Sequence, residues 1–280
     1  MSLISQKPAV APINLFGQLW GVNPANGTPG TAGTGNFDSG ASTYIGQKFE
    51  TSDGRELVLV STGATALASG KLMQASVQVT AFQKLAMTVP TATPATAGTN
   101  QILVTNGGTV LNVNQFQQGY LVTASGTGAG QTLKIASHQP AAASGTFLVT
   151  LEDAIVTTLD ATTTVSLIAN PYANIVIASH TTLGQPVGVT LYPLAASTAA
   201  TYSGTTGALT ANGVAQYGLI VTKGPTACLI DTLTNVGYPV GTSTNTDGAV
   251  NVATLTSSPQ VGISGQTQTS TQYGVIYLQL

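Results

Sequence analysis

Charge is what this sequence has least of. Its 280 residues carry 7 Lys+Arg and 9 Asp+Glu, so 6% are charged and the formal net charge is -2; an ordinary soluble domain carries about four times that fraction. So few cations cannot build a phosphate-tracking groove, and nucleic acid is not expected as a partner. Cysteine is nearly absent too. The lone thiol, Cys228, cannot form an intrachain bridge, so the fold needs no oxidising compartment and suits assembly in a bacterial-type cytoplasm. It reads as a small buried apolar side chain. No apolar run approaches eighteen residues, and the segment Met1 to Pro8 lacks the charged and apolar regions of a signal peptide. Neither a membrane nor export by that route is therefore expected. Helical period is missing as well, apart from room for one short turn between Asn112 and Gln118.

In place of charge stand small residues, with 32 Gly and 45 Thr among the 280. Thr favours strands and Gly favours tight turns, so the composition points to an all-β fold. Residues 1 to about 43 read as an extended N-terminal arm, punctuated by Pro8, Pro12, Pro24 and Pro29 and running through a Gly-rich spacer, Asn26 to Gly35. Within it Ile13, Leu15, Phe16, Leu19 and Trp20 form an apolar cluster that includes the only Trp. These five are the candidate interaction anchors, and two destinations stand open for them: their own domain or a neighbouring molecule.

From Tyr44 short apolar runs are closed by turn residues. Ser52-Asp-Gly54 between Ile45 to Glu50 and Glu56 to Val60 is a hairpin signal. A Pro, Ala and Thr segment, Val89 to Gly98, introduces a second region. Its expected strands are 101–105, 120–123, 132–135, 146–151 and 164–168, enough for a compact barrel or sandwich. A third region begins at Pro171, with expected strands at 174–178, 187–191, 216–222, 227–231, 249–253 and 274–278. Because 44–80 is too small to stand alone, the reading is two small β-barrel or sandwich domains: 44–80 joined to 171–280, with 81–170 inserted.

Chemistry is sparse. His138 and His180 each lie at a strand end, yet no Gly-x-Ser-x-Gly elbow accompanies them, so a Ser-His-Asp site is not expected. Glu152 and Asp153 are adjacent and so point to opposite faces of an extended chain; a hairpin turn or a weak cation contact with Asp160 suits them better than acid/base work. Asn245-Thr-Asp247-Gly248 falls short of a calcium loop. Gly126-Thr-Gly-Ala-Gly130 lacks the Lys-Ser/Thr and helix of a phosphate loop and reads as a hairpin tip, and Lys223-Gly-Pro225 reads as a turn with one solvated cation. No catalytic residue, metal ligand or cofactor is expected, and the chain does not read as an enzyme.

Three stretches carry a resemblance. They are Lys48-Phe-Glu-Thr-Ser-Asp-Gly-Arg-Glu-Leu-Val-Leu-Val60 with Gly63 to Leu67 and Gly70 to Met73; Gly119-Tyr-Leu-Val-Thr123 through Gly128-Ala-Gly130 to Ile135-Ala-Ser-His138 and Leu151-Glu-Asp153; and Tyr217-Gly-Leu-Ile-Val-Thr-Lys-Gly-Pro225. In pattern and order they resemble tailed-bacteriophage virion structural proteins, in particular head or capsid decoration (cement) proteins. The resemblance implies a non-enzymatic β protein on the capsid surface, assembled in the host cytoplasm. It implies the major capsid protein and further copies of the chain, as a homotrimer, for partners. A head fibre, vertex or tail component is the alternative within the virion, and a bacterial surface adhesive protein the alternative outside it.

Overall fold

The computed structural model describes residues 44–280 except 77–82, 94, 183, 212, 214, 234, 254–258 and 269–270. Among the described residues there is no helix, and the fold is all-β with two closed barrels. In chain order the strands are β1 Lys48–Glu50, β2 Glu56–Ser61, β3 Leu72–Gln74, β4 Gln83–Thr88, β5 Gln101–Thr105, β6 Tyr120–Ser125, β7 Thr132–His138, β8 Thr146–Leu151 and β9 Thr164–Ile168. They continue as β10 Val176–Ile177, β11 Pro186–Thr190, β12 Thr201–Tyr202, β13 Leu209–Ala211, β14 Tyr217–Ile230, β15 Pro239–Thr242, β16 Ala249–Val252, β17 Gln260–Ser264 and β18 Gln272–Gln279. The turn of helix at 112–118 is not formed: the segment is a run of turns in which Asn114 and Gln118 take left-handed φ of 52° and 61°, a conformation no α-helix of L-residues propagates.

The described residues divide into two units, the first drawn from 44–75, 174–197 and 215–280 and the second from 76–173 and 198–214. The arm, with Ile13, Leu15, Phe16, Leu19 and Trp20, lies outside the described residues.

In the second unit β4-β5-β8-β7-β6-β9 close into an antiparallel barrel. Period-2 patterning builds it: in β5 Ile102 and Val104 point inward while Gln101, Leu103 and Thr105 face out, and in β8 Phe147, Val149 and Leu151 point inward between Thr146, Leu148 and Thr150. Phe116, Leu121, Leu133, Ile135, Val165 and Leu167 complete the core. The outer face is rich in hydroxyls, as in the Ser125–Thr164 pair at 2.7 Å. The hairpin β12–β13, which the sequence reading places with the third region, belongs here instead. Its local contacts explain why: the Gly207 carbonyl accepts the Val113 N–H at 3.2 Å, and a Cβ on Gly207 would lie 2.0 Å from the Leu111 carbonyl oxygen. Only glycine lets these backbones approach so closely.

The first unit is organised by β14. Its first half pairs with β2, from Tyr217↔Ser61 to Lys223↔Glu56, and with β11; its second half pairs with β18, from Lys223↔Gln279 to Ile230↔Gln272. The parallel pair β14–β16 and the antiparallel pairs β16–β15, β15–β17 and β17–β18 close five strands on themselves. The expected turn at Lys223-Gly-Pro225 is therefore wrong, because one strand of 14 residues runs through it. Gly224, at φ 97°, and a register shift between Val221 and Lys223 mark the kink where β14 changes partners. A bulge is where a sheet tolerates the missing N–H of a proline. Leu57, Leu59, Leu72, Val221, Ile230, Val250 and Ile276 are among its core residues.

Candidate functional site: an uncharged outer face

The titratable residues singled out in the sequence are placed by the fold one by one, and most serve the architecture. His138 sits at the end of β7. A bulge between Ile135 and Ser137 shifts the ladder by one residue, so His138 pairs with Val149 and turns into the barrel, where it is 4% exposed. Its ring lies between Phe116 and Phe147, with centroids 6.1 and 6.0 Å away, and its Nδ1 is 2.9 Å from the Gln139 carbonyl. Burial holds its pKa below the usual histidine range. Lys84, buried in β4, donates from Nζ to the Thr109 carbonyl at 3.1 Å and to Thr109 Oγ1, and desolvation lowers its pKa.

His180 and Asp247, far apart in sequence, do meet. Asp247 Oδ1 accepts from the His180 backbone N–H and from its Nδ1, each at 2.8 Å, and these bonds hold the carboxyl below its ordinary pKa. The neighbouring Ser179 hydroxyl lies 3.1 Å from Thr181 Oγ1 and accepts the Thr181 and Thr182 N–H groups; it serves a turn. Glu152 and Asp153 follow β8, where the Glu152 N–H donates to the Lys134 carbonyl. Asp160 caps its own loop, and the Thr162 hydroxyl and N–H lower its pKa. Asn245 donates to Asp231. Among the described residues no three His, Cys, Asp or Glu side chains gather where a metal ion could sit. Gly126 to Gly130 joins β6 to β7 as a hairpin tip, anchored on the loop holding Thr162 and Thr163. Lys223 is a solvent-exposed cation, as expected, and it also pairs with Glu56 at 3.0 Å, holding that carboxyl below the usual range.

What remains is a surface. In β18 Gly274, Ile276 and Leu278 point inward, which sends Tyr273, Val275 and Tyr277 outward, 52%, 38% and 49% exposed. The register continues this row across the five-stranded ring. Tyr277 stands opposite Pro225 of β14 and Ile263 of β17, Val275 opposite Ala227, and Ile263 opposite Pro239 of β15. Pro225, Ala227 and Pro239 are exposed, and none of these positions carries charge. Two glycines seat the tyrosines: a Cβ on Gly70 would lie 2.7 Å from Tyr273 Cε1, and one on Gly265 3.0 Å from Tyr277 Cε2.

A hollow of about 210 Å3 opens beside this row, lined by Ser69, Gly70, Thr190, Leu191, Thr226, Ala227 and Tyr273. It is below the size of an ordinary small-molecule site and bears no titratable group except the Tyr273 phenol. The face can offer aromatic and aliphatic area and a few hydroxyls; it has no proton-transfer or nucleophilic machinery. Sequence reasoning found the strand 274–278 and missed the face. The signal was there: Gln272-Tyr-Gly-Val-Ile-Tyr-Leu-Gln279 is apolar on both sides, so one apolar side has to look outward. No protein-family model, curated protein or solved structure matches the chain.

Proposed function

We propose that this protein is a structural virion component that binds the outside of a bacteriophage capsid and stabilises it, a decoration or cement protein that does no chemistry. The observation that carries the reading is the uncharged outer face centred on Tyr273, Val275 and Tyr277, set on a closed ring of strands. Contiguous exposed apolar area on a soluble protein marks an interaction site, and tyrosine is enriched at such sites because it buries large area at low entropic cost. A protein packed in many copies over a shell also gains from low charge, because neighbouring copies repel little. The resemblance of the sequence to decoration proteins supports the same assignment, and the hydroxyl-lined outer strands of the second unit suit uncharged contacts. Negative-stain imaging of the cognate capsid shells with and without added protein tests this: regular added density and a raised shell disruption temperature are expected, and bare, unchanged shells overturn the reading.

A further inference from the structure

We infer that the Tyr273–Val275–Tyr277 face and the hollow beside it receive the apolar segment Ile13 to Trp20 from the arm of a neighbouring copy, with Trp20 entering the hollow. The inference rests on the multi-copy reading of the function and names the receiving surface. Three observations carry it. Residues 8–37 contain no charged side chain, and the face contains none either, the nearest charge along its ladder being Lys223, already tied to Glu56. The segment supplies the large side chains that a shallow aromatic row lacks, while the hollow gives the central pocket into which interfaces of this type insert an aromatic anchor. The length also suffices: 23 residues lie between Trp20 and Tyr44, where the described chain begins, and they reach up to about 80 Å when extended. Each copy then offers one arm and one face, a head-to-tail contact that gives a ring where the rotation between copies closes and a filament where it does not.

The test is made in solution, without capsid shells, so its outcome is independent of whether the protein decorates one. The only native thiol, Cys228, is fully buried, which leaves introduced cysteines to react alone. Chains bearing Gln18→Cys are mixed with chains bearing Ser69→Cys, Ser69 being an exposed residue of the hollow, and oxidised. A disulfide between the two chain types is expected. In parallel, emission from Trp20, the single Trp, is expected to be blue-shifted in the native full-length protein and to move red in the Tyr273→Ser/Tyr277→Ser double variant, with self-association weakened at least tenfold. Absence of the mixed disulfide overturns the inference. So does a bond that forms only within a chain carrying both cysteines, which would place the segment on its own domain. Emission unmoved by the double variant, with melting unchanged, overturns it as well.

Discussion

The buried Nε2 of His138 accepts the backbone N–H of Phe116 at 2.9 Å. An acceptor nitrogen carries no proton, so Nδ1 bears the hydrogen and donates it to Gln139, and the ring is neutral. Because burial depresses the folded pKa, the unfolded chain takes up the proton first as pH falls. The stability contributed by neutral His138 is complete above about 6.5 and is lost as pH drops through that value toward the lower folded pKa. The urea midpoint of the barrel unit is expected to fall between pH 8 and pH 5. In His138→Phe that pH dependence flattens, and stability at pH 8 drops by about 1–3 kcal/mol because the Phe116 N–H loses its partner.

Two glycines with nearly the same φ separate backbone strain from steric conflict. Gly54 (φ 81°) has nothing within 4 Å of a built Cβ, whereas at Gly126 (φ 80°) the Cβ would meet the Thr162 carbonyl oxygen at 2.0 Å. Gly54→Ala should cost about 1–2 kcal/mol, the left-handed penalty alone. Gly126→Ala should add about 1–3 kcal/mol for overpacking. Equal losses in urea titrations of the two variants would show that φ alone decides.

Cys228 is fully buried and its thiol is pushed up to about 12 by that burial, against the lowering effects of Lys71 and of the Leu229 and Leu72 backbone. The thiolate being the reactive form, native protein at pH 8 should react with an aromatic disulfide reagent at least about a thousandfold more slowly than a free cysteine. Addition of denaturant should release one thiol per chain, and prompt labelling in native buffer would contradict the burial.

How far these features were legible in the sequence depended on how local their causes are. β5, β8 and β9 are read from sequence to the residue because Gln101-Ile-Leu-Val-Thr105, Thr146-Phe-Leu-Val-Thr-Leu151 and Thr164-Val-Ser-Leu-Ile168 each open on a polar residue and run on in apolar and β-branched ones. β4 was hidden by its own irregularity: Ala86 takes φ 53° at a register shift between Lys84 and Met87, so Leu85 is exposed and the alternation breaks. In β14, Gly224-Pro225 carries every local mark of a turn, and only the partners on either side, β2 and β18, keep the strand continuous. The bulge that turns His138 inward and the meeting of His180 with Asp247 depend on long-range pairing, which no local pattern encodes.

Removal of residues 1–25 bears on the arm. The melting temperature of the described units should stay nearly unchanged, while self-association or particle binding is lost, since burying each side chain of the Leu or Phe class contributes about 1.5–3 kcal/mol before ordering costs. Early melting or aggregation of the truncated chain would assign the arm to its own core.

The proposed capsid role predicts an attachment that responds weakly to salt. Sixteen charges leave few ion pairs for any interface, and exposed pairs contribute only about 0–1 kcal/mol each. Particles are expected to keep the protein at roughly 0.5 M sodium chloride, where screening confines exposed charges to a few Å. Shedding at that concentration, seen as protein in the supernatant after pelleting, would point to an electrostatic attachment.

The ladder between β3 and β10 also dictates an order of events during synthesis. Gln74 pairs with Val176 and Met73 with Ile177, so the chain leaves the first unit and returns to it at adjacent rungs, after about a hundred residues have been made. At about 5–20 residues per second, β2 and β3 wait several seconds on the ribosome for β14, β10 and β11, while β4 to β9 need nothing that is not already translated. The barrel can close first and bring the two rungs together, shortening the loop that the late pairing of β2 with β14 has to close.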